Sequence, residues 1–246
     1  MKPKITLLTL CICLALTASA CTVSITMPGG GTVRGSGDVV SEEREVSGVR
    51  KVVLTNQGDL EIEVGDQESL VVEAQANLLP YLETDVRGGT LEIKTQDNVN
   101  LKSTKPIRYL LTVTELEGLT VTSSGDIVAP ELTADRFTIL VSSSGSMLIE
   151  ALYTDTLDVG ISSSGSVVIK GGEVANLDVN ISSSGELAMQ DVTVQTAEVN
   201  LTSSGDALVY VSDELSGHLS SSGNIYYMGD PHVDVNTSSS GKAIQR

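Results

Sequence analysis

Leu157-Asp158-Val159-Gly160-Ile161-Ser162-Ser163-Ser164-Gly165-Ser166-Val167-Val168-Ile169 decides the fold. Leu157, Val159 and Ile161 alternate with Asp158 and Gly160. That is the period of a half-buried strand, in which successive side chains point to opposite sides. Ser-Ser-Gly follows, and then a second short β-rich run, Val167 to Ile169. The same order returns along the chain. Ser-Ser-Gly recurs with its glycine at 125, 145, 165, 185, 205, 223 and 241, at spacings of 20, 20, 20, 20, 18 and 18. Leu177, Val179 and Ile181 precede one copy, and Ala197, Val199 and Leu201 the next. A near-fixed period of this size marks a solenoid.

Each unit therefore reads strand, corner, strand, loop. A hairpin would satisfy one unit but not the constant period. Parallel stacking explains it, with each coil hydrogen-bonded to the next at about 4.8 Å, so that seven coils span on the order of 34 Å. The expected fold is all-β: a single-stranded right-handed parallel β-helix, or β-solenoid, with repeats of about 20 residues. The hand follows from the general crossover preference. The composition agrees. Of 246 residues 40% are hydrophobic but only 3% aromatic, with one Phe and no Trp. Ladders of Val, Ile, Leu and Ala fill a narrow interior. At the corners, glycine is expected to supply a dihedral that other residues avoid, and stacked serine hydroxyls to satisfy one another and nearby backbone groups. Seven copies of a nucleophile have no chemical use, whereas seven copies of a corner do.

The N-terminus reads as an address. Lys2 and Lys4 precede an apolar run from Ile5 to Leu16, and Thr17-Ala18-Ser19-Ala20-Cys21 follows. This is the charged start, short apolar core and small-residue cleavage site of a signal peptide, residues 1–20. The run is too short to span a bilayer comfortably. Small residues followed by Cys21 resemble the lipobox of bacterial lipoproteins, with Ala18 where Leu is commonest. The resemblance implies lipidation of Cys21 and a membrane partner through that anchor; an ordinary Ala-x-Ala site would cut the same bond. Cys11 and Cys13 leave with the signal, so Cys21 alone remains and no internal disulfide forms. Residues 21–37 read as the lipidated Cys and a Gly-rich tether, with Pro28 and Gly29-Gly30-Gly31, reaching roughly 20 Å on average. Thr22 lacks the Asp that favours inner-membrane retention in such lipoproteins, which points to an exported, outward-facing envelope protein.

Charge excludes other functions. The formal net charge is −17, and it becomes −19 once Lys2 and Lys4 are removed. Nucleic acid is not an expected partner, because phosphate contact needs clustered Lys and Arg. His218 and His232 fall in different columns of adjacent coils and in no metal spacing. Asp158, Asp178 and Glu198 share one column in three successive coils. A Ca²⁺ ion could bridge such oxygens, although a solvated outer face is the plainer reading. No cofactor is expected. A polysaccharide lyase or hydrolase needs paired carboxylates, or Ca²⁺ with a basic residue, in a groove. From Gly145 to Gly223 the only Lys or Arg is Lys170.

Residues 38–246 form the expected folded domain, in which 121–246 carries the regular repeats and 38–120 is β-rich but irregular. The irregular part includes Val49 to Leu54, Leu60 to Val64, Leu70 to Glu73 and Ile107 to Val113, with Pro80 restraining a short helical turn. Gly35-Ser36-Gly37, Glu43-Arg44-Glu45-Val46-Ser47-Gly48, Gly58-Asp59-Leu60-Glu61-Ile62 and Asn77-Leu78-Leu79-Pro80, together with the Ser-Ser-Gly series, resemble the head GIN domain family from Gly35 onward. That family is described as autotransporter adhesin heads. The resemblance implies a bacterial envelope protein with a right-handed β-helix and no established catalytic residues. Five residues follow the last corner glycine, so a translocator barrel is not expected in this sequence.

One surface stands out. The third residue after each corner glycine is Val128, Leu148, Val168, Ala188, Leu208, Tyr226 and Ile244, and its neighbours are mainly apolar too. Adjacent strand residues face opposite ways, so one of the two columns must point out of the coil. A stripe of this length is expected to pack against a second subunit, in a dimer or trimer, or against residues 38–120. The functional expectation is a non-catalytic envelope lipoprotein displaying a β-helical surface for adhesion or binding, with a surface glycan or matrix ligand. The alternatives are a scaffolding or sensing accessory without an external ligand and, behind it, a carbohydrate-active enzyme.

Overall fold

The computed structural model describes residues 31–246. The signal peptide, Cys21 and most of the tether lie outside the described residues. The chain winds as a β-solenoid of about six turns. Seven corners delimit six complete turns, so the regular rod is about 29 Å long at 4.8 Å per turn.

Every coil contributes to two main stacks. In the first, Lys51–Leu54 pairs parallel with Thr90–Thr95 on one side and Gly118–Val121 on the other. That stack continues through the last residues of Ile127–Val141, Ser146–Ile161, Gly172–Ile181, Glu186–Leu201 and Asp206–Leu219 to His232–Thr237. In the second, Arg108–Val113 pairs parallel with Asp59–Val64. The residues just after each corner glycine then follow in register to Ala243–Gln245. The alternation in the sequence sets the facing. In one turn Met147, Ile149, Leu152, Leu157, Val159 and Ile161 are all buried. Each such side chain contributes about 1.5–3 kcal/mol on leaving water. Tyr109 and Phe137 are fully buried aromatic exceptions in the aliphatic interior.

The two 18-residue units lose their residues on the side between the two stacks. Register shifts between Met189 and Thr193, and between Val194 and Thr196, absorb the change from 20 to 18. Corners and both main stacks keep their register across it.

The irregular first part caps the rod. Ser69–Gln75 pairs antiparallel with Arg108–Val113, and Val39–Arg44 antiparallel with Ser69–Gln75. Leu82–Arg87 pairs antiparallel with Thr90–Thr95 across Gly88-Gly89, both at positive φ, as a two-residue hairpin loop requires. Pro80 lies in a 3-10 turn over Leu79–Tyr81. Residues 38–120 thus extend both stacks at the rod's end rather than lying along its side. The domain also starts earlier than the tether reading placed it. Gly31–Arg34 pairs parallel with Val99–Lys102, and Asn77 fastens this strand: its Nδ2 donates to the Arg34 carbonyl (2.9 Å) and its Oδ1 accepts from the Ser36 amide (2.8 Å).

The corner glycines serve for a different reason from the expected one. None of the seven has a left-handed φ; the positive values fall at Gly37, Gly48, Gly88, Gly89, Gly172, Gly217 and Gly229. What excludes a side chain is the coil beneath. A Cβ on Gly165 would lie 2.8 Å from the Gly145 carbonyl oxygen and 2.9 Å from that of Ser143, and would overlap Val141. Gly185 meets Gly165 and Ser163 in the same way, at 2.9 Å each. The serines meet the expectation in part: at the first corner the Ser123 hydroxyl bonds backbone, donating to the Asn56 carbonyl and accepting from the Gly125 amide. Among the described residues no hydrogen bond joins one corner hydroxyl to another. Backbone amides hold the following corners: Ser142, Ser162 and Ser182 each donate to the preceding coil at 2.9 Å.

Gly165→Ala is expected to cost about 2 kcal/mol, lowering Tm by roughly 4–8 °C, because overpacking against backbone cannot relax easily. Gly171→Ala, where the new Cβ has only an ordinary contact at 3.7 Å, is expected to stay within about 0.5 kcal/mol. Thermal unfolding of the two variants measures the difference.

Candidate functional site

The stripe read from the sequence is a continuous outward ladder. Val128 pairs in register with Leu148, Leu148 with Val168, Val168 with Ala188, Ala188 with Leu208, Leu208 with Tyr226, and Tyr226 with Ile244. Their chain neighbours point inward: Ile127, Met147, Val167, Leu187, Ala207 and Ile225 are buried. Val128 is 43% exposed and Ile244 36%, and the residues between them are half-buried by each other. The ladder widens toward the last coils, where Tyr210 and Met228 flank Leu208 and Tyr226. Arg246 stacks on the Tyr226 ring at 3.9 Å, a cation–π contact.

The face is charged asymmetrically. Beyond Val128 its register partner is Glu61, and Asp59, Glu63 and Asp126 point outward nearby, with Arg108 beside Asp59. Burial, and then the Asp126 charge, raise the Asp59 pKa above the usual carboxylate range, while Arg108 opposes them. The other end carries Lys242 and Arg246.

Asp158, Asp178 and Glu198 are register partners on the outer face of the other stack. Each carboxylate has a polar partner of its own. Arg136 pairs with Asp158 at 2.7 Å, Asn180 donates to Asp178 at 2.7 Å and Asn200 to Glu198 at 3.2 Å. Partial burial, followed by the charges of Glu198 and Asp158, raises the Asp178 pKa. Among the described residues no group of three or more His, Cys, Asp or Glu is placed to hold a metal ion. His218 pairs in register with Asn200 and Asn236, and His232 with Glu214, so the two histidines stand in separate columns.

A concave groove of about 820 Å³ was not foreseen from the sequence. It runs along the side between the two stacks. Two of its three cations are engaged, Arg50 bonding Glu117 at 2.8 Å and pairing with Glu115, and Arg136 pairing with Asp158; the third is Lys51. Tyr153, 39% exposed, stands on its wall. The one sequence signal for it was an outward tyrosine in a chain with few aromatics.

A family profile described as "Putative auto-transporter adhesin, head GIN domain" matches residues 48–231, three quarters of the chain. The chain belongs to the head GIN domain family. Solved structures agree with this head GIN fold. A protein from Parabacteroides distasonis described as "Putative lipid binding protein" is 26% identical, with TM-score 0.75, covering 88% of this chain and all of its own. A "putative adhesin" from Bacteroides fragilis reaches TM-score 0.82 at 17% identity, over 87% of this chain and all of its own. Another from Parabacteroides merdae reaches 0.72 at 18%, over 87% of this chain and 99% of its own. These last two share the fold. No curated protein matches the chain. Among the described residues no helix is long and apolar enough to cross a membrane.

Asp178→Asn is expected to raise Tm by about 1 °C at pH 7, since it removes a partly buried charge and, with it, like-charge repulsion in the middle of the column. The sign follows from the raised pKa: the penalty acts fully above the folded value and is relieved as pH falls through it. The gap between variant and parent therefore closes on acidification, which paired melts at pH 7 and pH 4 measure.

Proposed function

We propose that this head GIN protein is a non-catalytic, outward-facing lipoprotein of the bacterial cell envelope that uses its solenoid surface for adhesive contact. One observation carries the reading: an apolar ladder of seven rungs points outward on a strongly acidic body. Apolar patches of this continuity mark contact surfaces. The sequence supplies the anchor, through the lipobox-like stretch ending at Cys21, and the family description is consistent with surface display. The groove gives catalysis little support, because two of its three cations, Arg50 and Arg136, are neutralised by carboxylates and only Lys51 is left without one among the described residues. Lipid binding, the property named for the P. distasonis relative, calls for an apolar cavity; the groove here is walled largely by charged and hydroxyl side chains.

The test uses the full chain in a bacterial envelope. Cys21→Ser is expected to move the protein from the membrane fraction to the soluble exported fraction. The pair Val168→Asp with Leu208→Asp is expected to reduce attachment, to a glycan and matrix panel or between cells, by about tenfold or more. Its Tm should change little, because both side chains face outward. Unchanged attachment by a correctly exported double variant overturns the surface reading, and an unmoved Cys21→Ser protein overturns the anchor.

A further inference from the structure

The outer ladder also carries information about what covers it. We infer that this face pairs with the same face of a second copy, rods antiparallel, so that two copies held on opposing membranes bind each other. The inference rests on the proposed reading of the ladder as a contact face and of Cys21 as an anchor.

Symmetry and charge select the arrangement. Two identical faces can pack about a two-fold axis lying in the interface plane. An axis along the rod gives parallel rods. Lys242 and Arg246 of both copies then gather at one end, and Asp59, Glu61 and Asp126 of both at the other. An axis across the rod gives antiparallel rods and brings each basic end to the other's acidic end. Full overlap of seven rungs puts that axis at the fourth, Ala188, the smallest side chain of the ladder. Val128 then meets Ile244 of the other copy, Leu148 meets Tyr226, and Val168 meets Leu208.

The flanking column matches at its ends, while Glu186 at the axis meets its own copy, a repulsion that the two end pairs offset. Asp126, Ser146, Ser166, Glu186, Asp206, Asn224 and Lys242 run in register beside the ladder. In the antiparallel pair Lys242 of one copy lies opposite Asp126 of the other, twice. A cation there also relieves the mutual repulsion of Asp59 and Asp126. Seven rungs at about 4.8 Å and a width of about 16 Å give a face on the order of 550 Å² per copy. The pair then buries about 1,100 Å², the low end of specific interfaces. Contacts of that size are weak singly and strong in number, as between two densely decorated surfaces.

Antiparallel rods send their N-terminal ends in opposite directions. From Cys21 to Gly31 the chain can span at most about 34 Å. The rod and its cap together exceed that length, so an upright copy cannot reach the membrane that holds its antiparallel partner. The pair therefore bridges two membranes.

Two measurements test this separately. Orientation is read in solution with the full chain carrying Cys21→Ser, exported and purified. Under mild oxidation Ala188→Cys should cross-link to itself, and Val128→Cys should cross-link to Ile244→Cys when the two are mixed but not to itself. Self-cross-linking of Val128→Cys, or no enhancement in the mixture, overturns the antiparallel pair without touching the anchor reading. Bridging is read with the lipidated full chain in phosphatidylethanolamine–phosphatidylglycerol vesicles, by light scattering. Parent vesicles should aggregate. Vesicles with Lys242→Glu and Arg246→Glu should not, nor should vesicles with Asp126→Lys. A mixture of these two kinds should aggregate again to within about twofold of the parent rate, because in the mixed pair one end contact is restored with reversed sign and the other keeps its native Lys242–Asp126 pairing. Parent vesicles that stay dispersed, or a mixture that stays dispersed, overturn the bridging proposal. If Val168→Asp with Leu208→Asp still lowers attachment to the panel in that case, the ladder remains a contact face for a different partner.

Discussion

The close stacking of coil on coil at the Ser-Ser-Gly corners governs the rest of the molecule. There the backbone of one turn comes so near the carbonyl oxygens of the turn below that no Cβ fits between them. A corner that cannot accept a side chain cannot slip either, because a one-residue shift would bring serine into the glycine position. The corners therefore fix the register of both strand stacks, and the strand register fixes which side chains point inward. The two shortened units show where the constraint is relaxed. Their missing residues are absorbed between the stacks, away from the corners.

A fixed register makes the surface a set of columns rather than a single site. Whatever one coil places outward, the next repeats about 4.8 Å away. Chemistry on such a surface is graded along the rod. The same column can be aliphatic for several rungs and become aromatic at Tyr226, and its flank can change from Asp126 to Lys242. Recognition here depends on length and direction. In a pocket it would depend on a few converging groups.

The alternation and the outward ladder were legible in the sequence because they lie within eight residues before and three after a glycine, and the period because the same stretch recurs. The reason for the glycine was not legible. A left-handed corner and a sterically closed corner both demand the residue without a side chain, and only the neighbouring coil distinguishes them. The cap escaped for a related reason. The pairing of Val39–Arg44 with Ser69–Gln75, and of Gly31–Arg34 with Val99–Lys102, joins segments far apart in sequence with no repeat to announce them. Glycines at 29 to 31 and at 35 and 37 suggested a tether, yet strand pairing and Asn77 hold the later part in place. The acidic column was placed correctly by period alone, but the amides of Asn180 and Asn200 lie on the same strands, one position beyond the intervening residue, and reveal their role only in the fold.

The cap contains one buried polar contact that joins it to the repeats. Asn56 Nδ2 donates to the Tyr109 hydroxyl at 2.6 Å, Asn56 Oδ1 accepts from the Gly58 amide, and the Asn56 carbonyl accepts from the Ser123 hydroxyl of the first regular corner. Burial pushes the Tyr109 pKa up to about 12, so the hydroxyl stays a neutral partner. A stack finished at one end by such a template acquires a growth direction. A chain that emerges N-terminus first can complete the cap, expose one patterned edge, and add each following turn to a surface already in register. Assembly then advances as a zipper with a single starting tooth, and the length of the rod becomes a quantity evolution can change by whole turns.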